Sequence, residues 1–350
     1  MSLLGALPRE LWPLIAECLP SHDILNICRT SHEFNQLCLP VLYKDIDLSH
    51  LDIIAISDKL GPRRGPFDTA LGDPTCRTIR TRQNLFYQTI TRKPKQSKYA
   101  RSLAWAHVVD VRHYPFWNRE AMATFAALDH VRRLDMYASK KSFLLPNREP
   151  AMRNLFPRAT HIRLAGTMSI EWVKAILLGK EKSDIQSLIL GLEPFTNELE
   201  GVDIFRGYES KLLAIELQSR CLKLEHFALQ RITSKSLTPG DLRVEFQAWA
   251  HLISTLQARK ITLWIGTPAF EDEENLTMDE IQREEFQREQ EEIYIKSYIQ
   301  PILRTGWPSL EEIYVRGIEV RGLLTERLQS VKVTIDKKTA FKAHWQDIDF

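Results

Sequence analysis

Nine times along the chain one spacing of apolar residues returns: a first, two variable positions, a second, one variable position, a third. The triplets are Tyr43/Ile46/Leu48, Ala100/Leu103/Trp105, Val131/Leu134/Met136, Ala159/Ile162/Leu164, Ile185/Leu188/Leu190, Leu224/Phe227/Leu229, Ala258/Ile261/Leu263, Leu310/Ile313/Val315 and Leu328/Val331/Val333. The last two members of each stand two residues apart, which is the period of a strand with one buried face. Between triplets lie stretches such as SIEWVKAILLGK, YESKLLAIELQSRC and FQAWAHLISTLQ, where apolar residues such as Trp172, Ile176 and Leu177 share one stripe at helical spacing. Strand followed by helix, repeated, requires crossover connections and therefore a parallel sheet, because hairpins join only antiparallel neighbours. The expected fold class is α/β. Successive triplets start 18 to 57 residues apart, so any repeat is irregular, and an ordinary α/β fold is the alternative to a stacked one.

A strand that buries alternate residues turns the others outward. That places Arg133, Asp135, Tyr137, His161, Arg163, His226, Gln230, Lys260, Thr262, Trp264, Glu312, Tyr314 and Arg316 on the opposite face. Tyr137, Trp264 and Tyr314 stand out there, since aromatic side chains on a sheet face are seldom left bare. The alternative for each is cover by a neighbouring loop.

The first fifty residues read differently. Pro8 suits the start of a helix carrying Leu11, Leu14, Ile15, Cys18 and Leu19, with Pro20 as its stop and Pro13 as an awkward interior residue. Ser21 is expected to cap a second helix holding Ile24, Leu25, Ile27 and Cys28. Thr30 with Glu33 forms a capping-box pattern for a third, with Phe34, Leu37 and Leu39, closed by Pro40. Three short helices in about forty residues make too small a core to stand alone, so their stripes pack either on the rest of the chain or on a partner.

The run LPRELWPLIAECLPSHDILNICRTSHEFNQLCLPVLYKDIDL, residues 7 to 48, resembles an F-box: Leu7-Pro8-Arg9-Glu10-Leu11, the apolar Ile15 to Leu19, Asp23-Ile24-Leu25, Ser31 to Phe34, and Leu42-Tyr43 to Leu48 occur in the family's order. Pro13 and the segment Cys28-Arg29-Thr30 depart from its pattern. The triplets behind it resemble leucine-rich repeats of the irregular kind found behind fungal F-boxes, without the usual Asn after the third apolar position. The resemblance implies a three-helix F-box over 1–48, a linker and connecting helix over 49–98, and a leucine-rich-repeat-like solenoid with a parallel sheet over 99–350. It implies that Leu7, Pro8, Leu11, Trp12, Ile15, Leu19, Ile24, Leu25 and Cys28 face, or support the face for, a Skp-type adaptor and through it a cullin, with Trp12 as the anchor. The body would then hold an unknown protein target through Tyr137, Arg163, Trp264, Tyr314 and Arg316, as the substrate receptor of a ubiquitin ligase. A repeat scaffold without a ligase role is the alternative.

Charge and motif content narrow the remaining classes. A net charge of +2 gives no whole-molecule attraction to nucleic acid or anionic membrane. Arg77 to Arg101 holds eight basic and no acidic residues, interleaved with Phe86, Tyr87 and Tyr99; that formally fits a nucleic-acid strip, though a solvated linker and helix after the loop GPRRGPFDTALGDP (61–74) is the commoner meaning. Glu271 to Tyr294 carries eleven acidic and two basic residues, a solvated insertion near 270–294 or a clamp for a basic target, before Ile295, Tyr298, Ile299, Ile302 and Leu303 return at helical spacing.

No apolar run is long enough to span a bilayer, and Arg9 and Glu10 interrupt the first one, a poor fit to a secretory leader. Five scattered cysteines, Cys18, Cys28, Cys38, Cys76 and Cys221, without a C-x-x-C pair, suit a reducing compartment, cytoplasmic or nuclear, and the ten-residue spacing of the first three suits buried helical faces better than a metal cage. Nucleotide, zinc-protease and hydrolase motifs are absent, and His107, Asp110 and His113 lack a third ligand pattern. The expectation is a protein without bond chemistry of its own, without cofactor, metal or catalytic residues, and with neither membrane nor nucleic acid as partner.

Overall fold

The computed structural model describes residues 7–49, 74–107, 123–138, 155–166, 170–178, 184–192, 217–218, 220–232, 239–266, 292–305, 307–316 and 332–336, with isolated positions at 285, 288 and 289. Among them it is a mixed α/β structure built on one parallel sheet of nine strands. The strands are β1 Asp45–Leu48, β2 Ser102–His107, β3 Arg133–Ala138, β4 His161–Gly166, β5 Ser187–Leu192, β6 His226–Ile232, β7 Lys260–Gly266, β8 Glu312–Arg316 and β9 Lys332–Asp336. Spatial order equals chain order from β1 to β9, so every strand is laid beside its immediate predecessor.

The register explains why the triplets are apolar. Ile46, Leu103, Leu134, Ile162, Leu188, Phe227, Ile261, Ile313 and Val333 form one continuous row across the sheet. Leu48, Trp105, Met136, Leu164, Leu190, Leu229, Leu263, Val315 and Ile335 form a second, two residues further along each strand. From β2 to β8 the members of both rows are buried in one core, each apolar side chain contributing about 1.5–3 kcal/mol relative to exposure. The ninth triplet needs a correction: Val333 and Ile335, not Val331 and Val333, occupy the two rows, a slip of two residues. Val331 and Leu328 lie outside the described residues.

Helices cover the apolar face. The helix Ile170–Leu177 contributes Val173, Ile176 and Leu177, and Pro239–Leu256 contributes Phe246, Trp249, Leu252 and Ile253. Tyr298, Ile299 and Ile302, on a π-turn Ile295–Ile299 and the helix Gln300–Thr305, pack there as their spacing predicts, and Phe246 meets Tyr294 with ring centroids 4.5 Å apart. The Trp307 indole N–H donates to the Ala258 carbonyl at 2.8 Å, tying the approach to β8 to the approach to β7. Most of the acidic stretch before Tyr294 and most of YESKLLAIELQSRC lie outside the described residues.

Ahead of the sheet stand α1 Leu11–Glu17, α2 Ser21–Thr30 and α3 His32–Leu42, and between β1 and β2 lies α4 Pro74–Arg92. Their ends depart from expectation. A turn, with Leu11 N–H to Pro8 and Trp12 N–H to Arg9, precedes α1, so Pro13 falls in the first turn, where a missing N–H removes no intrahelical bond. Ser21 opens α2 rather than capping it, and the cap of α3 is Ser31, whose hydroxyl accepts from Phe34 N–H at 3.1 Å, while Thr30 donates back to Ile27. Pro40 does not close α3, which continues to Leu42 because Val41 and Leu42 pack on the small helical core. That core has only four buried members, Ala16, Ile24, Cys28 and Cys38.

The helical unit and the sheet are continuous. The final segment of the run 7–48 is β1 itself, paired parallel to β2 from Asp45↔Ser102 to Leu48↔Trp105. Lys44 pairs with Glu17 of α1 at 2.6 Å. Gln83 of α4, fully buried, donates its amide to Leu48 O at 3.0 Å and Ala106 O at 2.8 Å, joining the ends of β1 and β2.

Candidate functional site: an open leucine face and the second face of the sheet

On α1 the apolar residues divide into two faces. Trp12 and Ala16 turn inward, and Trp12 meets Phe34 of α3 edge-on at 4.5 Å. Leu11 and Leu14 turn outward and are 40% and 58% exposed, and Leu7, ahead of the helix, is 41% exposed. Leu25 of α2 is 39% exposed beside a cleft of about 370 Å³ that also takes in Leu39 and Leu42 of α3 and the exposed Leu85 of α4. Four of the seven large apolar side chains exposed among the described residues thus belong to the first 25 positions, and exposed apolar surface gathered in so short a segment costs free energy in water unless something covers it.

The nine expected contact residues therefore separate. Leu7, Pro8, Leu11 and Leu25 are open, Ile15 and Leu19 half-buried, and Trp12, Ile24 and Cys28 internal. Trp12 as an anchor offered to a partner is corrected: Phe34 covers its ring, so it braces the face from behind. Leu14, the most exposed of the group, was absent from the expected set although it shares the helical spacing.

Of the cysteines, Cys28, Cys38 and Cys221 are buried thiols, and burial raises all three, Cys221 to about 12. Cys18, expected on a buried face, is exposed at the end of α1. Among the described residues no group of three or more His, Cys, Asp or Glu side chains could hold a metal ion, and no helix is long and apolar enough to cross a membrane. His107 ends β2; Asp110 and His113 lie outside the described residues.

The sheet's second face carries the outward-turned residues in three rows. Asp45, Ser102, Arg133, His161, Ser187, His226, Lys260, Glu312 and Lys332 lie across its start. Asp135, Arg163, Ile189, Ala228, Thr262 and Tyr314 follow, then Tyr137, Ala165 and Gly191 on one side and Gln230, Trp264 and Arg316 on the other. The face is not open throughout: Arg163, Ala165, Ile189 and Ala228 are buried in its middle. Arg163 as a residue reaching a target is therefore corrected; it is 3% exposed, with its guanidinium 3.4 Å from the Asp135 carboxylate. Tyr137 and Tyr314 are half-buried. Trp264 and Arg316 are register neighbours on β7 and β8, four and five strand spacings from Tyr137, about 19 and 24 Å, and their side chains lie outside the described ones. Tyr314, Trp264 and Arg316 form one group and Tyr137 another.

Electrostatics differ along this face. Burial pushes the Asp135 carboxyl up to about 6, with Arg163 opposing and Asp47 reinforcing the shift. His226 and His161 are both lowered from the ordinary histidine value, chiefly by burial, with Lys260 beside the first and Arg133 beside the second adding to the effect. Both are thus neutral at pH 7, and His226 Nε2 lies 3.0 Å from Thr262 Oγ1. The basic stretch 77–101 offers no stacking platform for bases, because Phe86 and Tyr87 face the core and Tyr99 is half-buried under the Lys98 ammonium.

No protein-family model matches the chain, and no curated protein matches it.

Proposed function

We propose that the chain is an F-box-like substrate receptor: the N-terminal helices dock on a Skp-type adaptor of a cullin ubiquitin ligase, and the leucine-rich-repeat-like body holds the protein to be ubiquitinated. The observation that carries the reading is the set of exposed leucines on and beside α1 and α2. A helix face laid into an apolar groove on a partner is the common way such a stripe is covered. Leu7, Leu11, Leu14 and Leu25 would fill that groove, while Trp12, Ile24 and Cys28 keep the face rigid. The body supports the reading by its strand order, each rung added beside the last, and by the neighbouring strand positions Tyr314, Trp264 and Arg316, with Tyr137 apart, as a place for a target. In this role the protein does no bond chemistry; it raises the effective concentration of one partner near another by holding both.

Co-expression with a Skp-type adaptor and a cullin tests it. Wild-type chain is expected to capture both. The double variant Leu11→Glu, Leu14→Glu, both exposed in the free chain, is expected to fold normally and to lose adaptor affinity by roughly a hundredfold or more, since each leucine buried in a groove is worth about 1.5–3 kcal/mol. Equal capture by the variant overturns the docking assignment. Capture of the adaptor with no cullin would make the protein a scaffold.

A further inference from the structure

At the N-terminal ends of β2 to β5 lies a cavity of about 700 Å³ walled largely by cations. Arg101, Arg132, Arg133 and Arg158 line it, with His161 beside them and no carboxylate. They are far apart in sequence and converge through the backbone. Arg132 N–H donates to Arg101 O at 2.8 Å, Thr160 N–H to Arg132 O at 2.9 Å and Gln186 N–H to Thr160 O at 2.8 Å, so Arg101, Arg132, Thr160 and Gln186 stand on successive rungs about 4.8 Å apart. Arg158 enters from the turn before β4, and Arg133 is the next residue after Arg132.

The cations are not all spent internally. Arg101 donates to the Lys98 and Ala100 carbonyls, and Arg133 lies 3.3 Å from Asp45, both exposed. Arg132 and Arg158 are exposed and form no ion pair among the described residues. Carboxylates bound the region rather than enter it: Glu17 pairs with Lys44 on the β1 side, and Glu225 occupies the rung after Gln186 on the β6 side. Like charges gathered on adjacent rungs repel one another, and a dianion seated among them would relieve that repulsion.

We propose that this cavity binds a phosphomonoester dianion. Guanidinium forks match phosphate oxygens bidentately, and a charge near −2 with three acceptor oxygens meets several of them at once. The volume lies within the range of small-ligand sites. The cationic span covers roughly three rungs, room for one or two phosphates rather than a nucleic-acid backbone, and the lining has no aromatic platform apart from the His161 imidazole. The phosphate could belong to a phosphorylated side chain of another protein or to a soluble phosphorylated metabolite; the chemistry is shared. The site does not depend on adaptor docking, and a phosphorylated target would reach it on the same second face of the sheet.

Titration calorimetry on the full chain at constant ionic strength tests it with a short phosphoserine peptide, its unphosphorylated twin and glucose 6-phosphate. At least one phosphomonoester is expected to bind tenfold or more tightly than the unphosphorylated peptide. The double variant Arg132→Ala, Arg158→Ala is expected to lose that binding at least tenfold with an unchanged circular dichroism spectrum. Tighter binding of the peptide assigns the site to a protein partner and tighter binding of the sugar phosphate to a metabolite; either supports the proposal. Equal affinity for phosphorylated and unphosphorylated peptide, or binding unchanged in the variant, overturns it, as does a single-stranded oligonucleotide that binds more tightly than either phosphomonoester.

Discussion

Asp135 and Arg163 occupy register-paired positions on β3 and β4 at the boundary between the open and closed parts of the second face. With the Asp135 carboxyl raised from 3.8 to about 6, the folded chain holds that proton more tightly than the unfolded one. The stability this gives is complete below about pH 4 and is lost as pH climbs through about 6. Arg163 is what keeps the ionised carboxylate tolerable. Replacing it by leucine, Arg163→Leu, is expected to raise the carboxyl further and to cost about 3–5 kcal/mol at pH 8, where the charge stands without its buried partner. At pH 5 the protonated acid needs no partner, and the loss should shrink by at least about 1 kcal/mol. Urea denaturation at the two pH values measures this; equal losses would show that packing alone, not charge, sets the effect.

At the scale of elements, Gln83 is the joint between helix and sheet. Its amide serves the Leu48 and Ala106 carbonyls, and Gln83→Ala leaves both without that donor in a buried place, at an expected cost of about 1–3 kcal/mol. Amide exchange should quicken first in β1 and in the end of β2; unchanged protection there would mean that the strand pairing alone holds β1. The strands were the legible elements, because both marked residues of each triplet from β2 to β8 are buried and the period of two is local. The same period explains the ninth strand: Val331, Val333 and Ile335 alternate equally well, and a shift of two residues preserves the face. Helix ends were poorly legible, since Ser21, Thr30 and Ser31 all carry hydroxyls and only backbone geometry chooses among them. The open face of α1 was half legible. Leu11 and Leu14 on one side and Trp12 and Ala16 on the other are all apolar, and the choice is made by Phe34, brought over from α3.

Across the whole molecule, stability should be graded. The middle strands β4 to β6 carry buried residues on both faces, whereas β1 is a four-residue edge strand with Asp45 and Asp47 exposed and β9 closes the other edge. An edge strand is paired on one side only, so a sheet of this order is expected to open from its edges. Native-state hydrogen exchange is expected to be slowest in β4 to β6 and to quicken towards β1 and β9; a single common rate for all strands would mean one indivisible cooperative unit. The basic cavity was illegible from sequence, since Arg101, Arg132 and Arg158 look unrelated along the chain. A signal was present all the same: Arg101, Arg132, Thr160 and Gln186 each follow the first apolar residue of their triplet, so one variable column of the repeat lines one wall. Because spatial order repeats chain order, the widest wait between neighbouring strands is the stretch separating β1 from β2, and no segment needs a partner that is synthesised several rungs later. A nascent chain leaving the ribosome can therefore settle rung by rung in the direction of translation, at the pace of about 5–20 residues per second, with its three N-terminal helices finished before the last of the body has been made.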